Sequence, residues 1–453
     1  MKYDRNKVLI ETVKRLLRRN AGSHLRKIVN KTHGADLARV FPSLTQPQHL
    51  KLYSLTENIE QKGILLSELS ALDGDILVPL IQSLKVEDIA PVLEEMAGDD
   101  AADILGTLPD DLADAILKKM KKEGSEQVEG LLSYGDDTAG GIMVPDFIAL
   151  REDMTAREAI ESLQKEHLDV EMPFYLYVTD EYGKLTGVCS LRQLVVVPSQ
   201  KTLREFMSTD VFSVRTGTDQ EEVAKLVARY DILAVPVVDN TNKLVGIVTV
   251  DDVIDIMREE ATEDILKMAG AGAEFVETRS VYKSTRIRLP WLFASCAGGL
   301  ATMIIIGGFE DSLQKLAALA AFIPVIMGMG GNIGTQSSTI VVRGLSTGLI
   351  NVRDIWAIVV KEISIGLLLG LIYGAFIGIV AHFRYNMYQL GGAVCLAVIC
   401  SMSVAALVGS LFPMIFARLS IDPAVATGPF VTTSIDILAV FLYFEIATLF
   451  LGM

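Results

Sequence analysis

The chain has 453 residues, with 41 Lys and Arg against 56 Asp and Glu and a formal charge of −15, enough for two to four domains. The charge is unevenly spread: residues 289–453 hold six basic and seven acidic side chains, which leaves 35 basic and 49 acidic residues, or −14, in the first 288. Such an acidic half has no basic stripe to replace phosphate counterions, which excludes a nucleic-acid binder. A secreted disulfide scaffold is excluded too, since three of the four Cys (Cys296, Cys395, Cys400) lie in apolar runs.

The first twenty residues are charged throughout and are not expected to act as a signal peptide. Residues 1–64 read as helical. From about Leu65 to Met120 short helices repeat: VEDIAPVLEEM (86–96), GDDAADILGTLP (98–109) and PDDLADAILKKM (109–120) each put acids near a helix start, then an apolar stripe. A period of about 12 residues suggests a small helical solenoid. Most of its Asp residues are expected to be helix caps that satisfy free amides and the dipole.

A longer repeat runs from about Phe147 to Val253. YVTDEYGKLTGVCSLRQL (177–194) aligns with PVVDNTNKLVGIVTVDDV (236–253) at a constant offset of 59, matching Asp180 with Asp239, Gly187 with Gly246 and Ser190 with Thr249. Each copy reads strand, polar turn, strand, helix N-cap, with an amphipathic helix before it. The pair resembles tandem CBS domains. In that family a Ser or Thr and an acid three positions on often hold an adenosine ribose. Thr249 and Asp252 supply that pattern in the second copy, whereas the first has Ser190 and Gln193.

The helix that follows is acidic: Asp251, Asp252, Asp255, Glu259, Glu260, Glu263 and Asp264. Asp252, Asp255, Glu259 and Glu263 share one face, where like charges destabilise one another unless neutralised. The face reads either as solvated surface or as oxygen ligands for a divalent cation. No basic partner is expected nearby.

About 20 apolar residues cross a bilayer, and five such stretches follow, at 289–309, 316–342, 355–383, 386–416 and 424–450, with the few charges expected in the breaks. Lys283, Arg286, Arg288, Arg343, Arg353, Lys361 and Arg418 fall on one side and only Lys315 and Arg384 on the other. The positive-inside rule puts the soluble half in the cytoplasm and the C-terminus outside. An odd number of spans rules out an inverted repeat covering all of them, so a symmetric pore needs a second copy of the chain. Asp422 sits at the cytoplasmic entrance of span five. Asp436 lies 14 residues further on, roughly 21 Å along a helix, a depth at which charge points to an ion pathway. In span two, Gly328, Gly330, Gly331 and Gly334 permit close backbone approach. Asn332, Thr335, Gln336 and Ser337 add ligands or interhelical hydrogen bonds. Nine residues past Asp436, Glu445 is about 180° round the helix and off the pore face. An intramembrane enzyme lacks its motif, since the only His in these spans is His382, and a nucleotide-driven pump lacks GxxxxGK[ST]. The chain is not expected to be an enzyme.

YGDDTAGGIMVPDFIAL (134–150), GGNIGTQSSTIVVRGL (330–345) and the Asp in span five, behind a helical domain and tandem CBS domains, resemble the MgtE-type magnesium channels. The resemblance implies a multi-domain membrane protein: an all-α N-terminal domain (1–139), α/β CBS domains (140–202 and 203–268), an acidic linker or plug helix (252–288) and a five-span α-helical transmembrane domain (289–453). It implies a homodimer in the cell (inner) membrane that takes up Mg2+ down its electrochemical gradient. Asp436 and the Thr432 carbonyl would serve the pore. Cytoplasmic Mg2+ would bridge Asp99, Asp103, Gly141, Asp219, Glu221, Ala228, Asp231, Asp252, Asp255, Glu260, Glu263, Asp264 and Asp422 and hold it shut, while ATP is a further ligand at Thr249 and Asp252. A carrier or channel for other divalent cations (Co2+, Mn2+), proton-coupled or not, shares most of these features.

Overall fold

The computed structural model describes residues 2–72, 74–166, 175–271 and 281–452. The chain divides into two compact units, Met1–Arg258 and Glu259–Met453.

The first unit opens with helices α1 (Lys2–Arg18), α2 (Gly22–Val29), α3 (Gly34–Ala38), α4 (Gln46–Leu55), α5 (Ile59–Leu72), α6 (Gly74–Gln82), α7 (Val86–Glu94), α8 (Gly98–Thr107), α9 (Asp110–Leu117) and α10 (Lys122–Leu131). Helices α7, α8 and α9 are the expected short repeats, and α10 continues the series past Met120. Each buries an apolar stripe, such as Ile89, Val92 and Leu93 of α7 or Ile104 and Leu105 of α8. Their acids are not caps, which corrects the sequence reading. The N-cap positions are Lys85, Ala97, Pro109 and Lys121, none with a side-chain cap, and Glu87, Asp88, Asp99, Asp100, Asp110 and Asp111 lie inside the first turn. There they favour the positive end of the helix dipole without accepting the N-cap hydrogen bond.

Two α/β repeats complete this unit. The first has β1 (Ala149–Arg151), α11 (Ala156–Glu166), β2 (Tyr175–Thr179), β3 (Leu185–Ser190) and α12 (Leu191–Val196). The second has β4 (Val214–Arg215), α13 (Gln220–Tyr230), β5 (Ala234–Val238), β6 (Leu244–Thr249) and α14 (Val250–Met268). In each sheet the first strand is parallel and the third antiparallel to the middle one. The turns are equivalent: Asp180 accepts from the amides of Tyr182 and Lys184, and Asp239 from those of Thr241 and Lys243. The copies join through a bridge at Lys184 and Lys243 and a shared cluster of Val144, Tyr177, Ala234, Leu244 and Ile247. Leu93 and Leu105 of the helical domain share one core with Val223, Val248 and Val253 of the second repeat.

The second unit contains the end of α14 and then α15 (Val281–Gly308), α16 (Glu310–Lys315), α17 (Ile323–Ser346), α18 (Ile355–Tyr385), α19 (Tyr388–Arg418), α20 (Pro423–Thr427) and α21 (Pro429–Leu451). Five stretches are long and apolar enough to cross a membrane: 281–308, 317–346, 352–385, 388–418 and 423–451. The part of the expected linker at 272–280 lies outside the described residues. Helix α19 is the centre of the bundle and α18 lies against it. Gly366, Gly370, Gly374 and Gly378 recur every fourth residue on the buried side of α18, where an added Cβ would meet α19 backbone atoms at 2.6–2.9 Å. The outer faces of α15 and α18 present Phe293, Met303, Ile304, Leu368, Phe376 and Phe383, an apolar surface suited to lipid.

Candidate ion pathway and sensor sites

Asp436 and Thr432 sit one turn apart on α21, both half-buried. The helix begins at a break: Gly428, with φ −68° and ψ −130°, separates it from α20, and Pro429 starts the new helix. Pro at the first helical position loses no hydrogen bond. The Thr432 hydroxyl donates back to the Gly428 and Pro429 carbonyls at 3.3 and 3.4 Å. Among the described residues Asp436 forms no ion pair. Beside α21, an added Cβ at Gly330 would lie 2.9 Å from Ser401 Oγ, and one at Gly334 would lie 1.9 Å from Ile435 Cδ1. Gly409 meets the Gly334 carbonyl at 2.3 Å in the same sense. These glycines seat the GGN-bearing helix against α19 and α21. A Cβ added at Gly328 or Gly331 would meet nothing within 4 Å, so among the described residues only Gly330 and Gly334 of the expected set make close approaches.

The charges do not all lie in the breaks. Glu362 is inside α18 and only 4% exposed. It occupies the rung before Gly366 in the four-residue ladder, and Ser337 Oγ of α17 donates to its Oε2 at 2.8 Å. The expectation that the few charges fall in the breaks is therefore corrected for Glu362. The glycine spacing is the signal that could have found it. Glu445 is exposed, as its position round the helix predicts.

At the start of the last span, Asp422 caps α20, its Oδ1 accepting from the Ala424 amide at 2.7 Å. Lys267 of α14 donates to Asp422 Oδ2 at 2.7 Å and also pairs with Glu263. Ser346 Oγ donates to Asp264 Oδ2 at 2.8 Å. Burial pushes the Asp264 carboxyl up, with Asp422 and Glu263 adding to it and the Ser346 hydrogen bond opposing. Burial works against the Lys267 ammonium, but the hydrogen bonds to Asp422 and Glu263 outweigh it and its pKa is raised. The expectation that the acidic face lacks basic partners is therefore corrected. Lys267 serves Glu263 and Asp422, and Arg258 pairs with Asp255 at 2.9 Å.

In the first unit, Asp99 and Asp100 of α8 come within electrostatic reach of Asp251 and Asp252 at the start of α14. Burial, then Asp252, then Asp100 push the Asp99 carboxyl up to about 8, and its Oδ1 is buried without a hydrogen-bond partner. Asp100 accepts from Ser67 at 2.7 Å and is raised by burial and by Asp251 despite that bond. Burial raises Asp252 to about 6, opposed by a hydrogen bond from Thr249 and assisted by Asp251 and Asp100. Asp103 is exposed one turn beyond Asp99, and Glu260 is half-buried on α14.

The remaining positions surround α13. Asp219 is its N-cap, accepting from the Glu221 amide at 2.8 Å. Glu221 pairs with Lys225 at 2.8 Å, Ala228 is exposed, and Asp231 ends the helix in the left-handed conformation with φ 52°. Gly141 sits in a tight turn after α10, where an added Cβ would meet the Gly135 carbonyl at 2.4 Å. Among the described residues no three His, Cys, Asp or Glu side chains converge on one point. For a nucleotide, Thr249 is buried and its hydroxyl donates to Asp252, while Ser190 and Gln193 close a capping box in the other copy.

Known proteins match every part of this domain order. The MgtE family, described as a divalent cation transporter, matches residues 323–446; the MgtE intracellular N domain matches 32–137 and CBS domains match 139–199 and 203–259. The magnesium transporter MgtE of Thermus thermophilus is 38% identical over 358 residues, covering 76% of this chain and 79% of the relative. That of Bacillus subtilis is 38% identical over 335 residues, covering 74% of each. Among solved structures, the cytosolic domain of the Mg2+ channel MgtE in complex with ATP is 34% identical with a TM-score of 0.51, covering 55% of this chain and 99% of that one. The soluble part of a magnesium transporter is 29% identical with a TM-score of 0.50, covering 56% of this chain and 99% of that one. With its helical domain, CBS pair and five apolar helices in the family's order, this chain belongs to the MgtE family of magnesium transporters, a class of transporters and not of enzymes.

Proposed function

We propose that the chain forms a homodimeric Mg2+ channel in the cell membrane, with its N-terminal domains in the cytoplasm and its C-terminus outside, and that cytoplasmic Mg2+ closes it. The observation that carries this reading is one helix, α14. It bears Asp252 of the acidic cluster at its start, and near its end Asp264 and Lys267 bond to Ser346 and Asp422. A change in charge among the sensor acids thus acts on the same helix that is fastened to the mouth of the last span.

The residues suit the ion. Carboxylates are hard oxygen donors, as Mg2+ prefers, and the orphaned Asp99 Oδ1 beside Asp252 lacks a cation partner. Bound Mg2+ would supply positive charge between acids that otherwise repel. Asp99, Asp103 and Asp252 would hold it between α8 and α14, and Gly141, Asp219, Glu221, Ala228, Asp231, Asp255, Glu260, Glu263, Asp264 and Asp422 would hold the remaining ions. In the pore, Asp436 and its copy in the second subunit face the axis and contact the transported ion through its waters, because Mg2+ sheds them reluctantly; the Thr432 carbonyl assists. An adenosine nucleotide binds the second CBS copy, where Thr249 and Asp252 present the ribose-binding pair. Nucleotide binding as such is supported by the ATP complex of the related cytosolic domain.

Flux into liposomes with internal Mg2+ varied tests transport and gating together. Flux that falls as internal Mg2+ rises is expected. Equal flux at all internal concentrations sinks the gate, and no Mg2+ flux sinks the channel. The family's description as a divalent cation transporter keeps Co2+ and Mn2+ as alternative cargo, read by competition. Flux that depends on pH at fixed voltage marks a proton-coupled carrier.

A further inference from the structure

We infer that Lys267 is a tethered cation that holds the end of α14 against the membrane bundle when Mg2+ is scarce and competes with Mg2+ for Asp422. This rests on the gating reading above and names a residue that sets its threshold.

The geometry is specific. Lys267 Nζ bridges Glu263, four residues back on its own helix, and Asp422 Oδ2 at 2.7 Å, 155 residues away. All three side chains are part-buried, 27% exposed for Lys267, 33% for Glu263 and 34% for Asp422, so screening by salt is weaker than at a surface. Asp422 Oδ1 is already engaged by the Ala424 amide at 2.7 Å. Both oxygens of Asp422 therefore have donors, and a cation that takes Asp422 directly competes with the ammonium for Oδ2.

The neighbouring backbone is fitted to the same docking. Helix α14 ends in a Gly270 cap with φ +71°, the Gly270 amide donating to the Lys267 carbonyl at 2.9 Å and the Ala271 amide to Leu266 at 2.8 Å, a left-handed ending that favours glycine. An added Cβ on Gly270 would touch Pro429 Cδ at 3.5 Å, and one on Gly428 would touch the Lys267 carbonyl at 3.5 Å. The end of α14 thus lies on the break that begins α21.

One ammonium leaves Glu263, Asp264 and Asp422 with a net negative charge, whereas a divalent ion neutralises more of it. Lys267 therefore keeps α14 docked weakly, and Mg2+ docks it strongly only after displacing the ammonium. Two effects of opposite sign follow from removing the lysine: less docking without Mg2+, and tighter capture of Mg2+ once it is added.

The test is hydrogen exchange of amides 260–271 in the full-length protein in nanodiscs, during a Mg2+ titration from a chelated start. Lys267→Met should exchange about tenfold faster than the unmutated protein without divalent ions, a difference of about 1.4 kcal/mol in local opening. Its Mg2+ midpoint for protection should fall several-fold. Lys267→Arg, which keeps the charge, should follow the unmutated protein. Unchanged exchange in Lys267→Met without Mg2+ overturns the tether, and an unchanged or higher midpoint overturns the competition. If the unmutated protein gains no protection from Mg2+, the gating reading fails, while the divalent-free comparison still decides the tether.

Discussion

Asp99 is a carboxyl held where its charge is opposed, and Asp99→Asn should stabilise the soluble unit in Mg2+-free buffer. Its pKa stands at about 8 from burial, Asp252 and Asp100. An unfolded Asp titrates near 3.9. Because the folded pKa is the higher one, the folded state keeps its proton between those values while the unfolded state loses it. Stability is therefore greatest below about pH 4, declines as pH rises to about 8, and is flat beyond. Each pH unit in that window is worth about 1.4 kcal/mol for one group, an upper bound of about 4 kcal/mol between pH 5 and pH 8. Slight separation of α8 from α14 relieves part of this, so about 2 kcal/mol is the expected change. For a domain of this size that is a Tm shift of about 4–8 °C. Differential scanning fluorimetry of the soluble part in EDTA at pH 5, 6.5 and 8 reads it directly. The unmutated protein should melt lower as pH rises, and Asp99→Asn should remove most of the slope and melt higher at pH 8. Mg2+ should raise the Tm of the unmutated protein at pH 8 more than at pH 5, because a metal ligand must first lose its proton, and should raise Asp99→Asn less. A pH 8 melting point unchanged by Asp99→Asn would refute the reasoning.

Asp436→Ala should abolish Mg2+ selectivity while the protein still elutes as a folded dimer, and unchanged flux with unchanged Ca2+ competition removes Asp436 from the pore. Ser337→Ala strips the donor from the buried Glu362 and should cost about 1–3 kcal/mol, read as a lower Tm in detergent; Glu362→Gln, which keeps an acceptor for Ser337, should be milder than Glu362→Ala. Gly409→Ala places a methyl 2.3 Å from the Gly334 carbonyl, where backbone must move, and should destabilise the bundle by about 1–3 kcal/mol. Gly331→Ala, with open space around it, should leave the melting point unchanged. Asp252→Ala should abolish adenosine-nucleotide binding to the soluble part by calorimetry, and binding that survives would move the site to the other CBS copy.

What was legible in the sequence followed from periodicity and charge, both local signals. The 59-residue offset maps onto two sheets of the same topology, because the Asp180 and Asp239 turns bond their own following amides. The spans were legible because a bilayer demands uninterrupted apolar length. What was missed depends on partners that only folding supplies. Lys267 reads as one more helix charge until Asp422 arrives from 155 residues away. Glu362, beside Lys361 near the start of a span, reads as a flanking charge until the glycine ladder turns it toward Ser337. The first-turn acids of α7 to α10 look interchangeable in sequence. Only α8 brings its pair to the start of α14, and that proximity turns Asp99 from a dipole-stabilising surface acid into a strained one. Two of these carboxylates differ in how they would answer the ion. A carboxylate with a built-in cation, like Asp422, answers Mg2+ by exchange. On the proposed gating, a carboxylate with none, like Asp99, would answer by binding once it has lost its proton. A sensor with both kinds should therefore engage Mg2+ first at α8 and α14, and at the Asp422 mouth only at higher concentration. Hydrogen exchange followed separately at 98–107 and at 260–271 across one Mg2+ titration above pH 8, where Asp99 is ionised, should give the lower midpoint for 98–107. The reverse order would mean that the ammonium at Asp422 does not delay the ion.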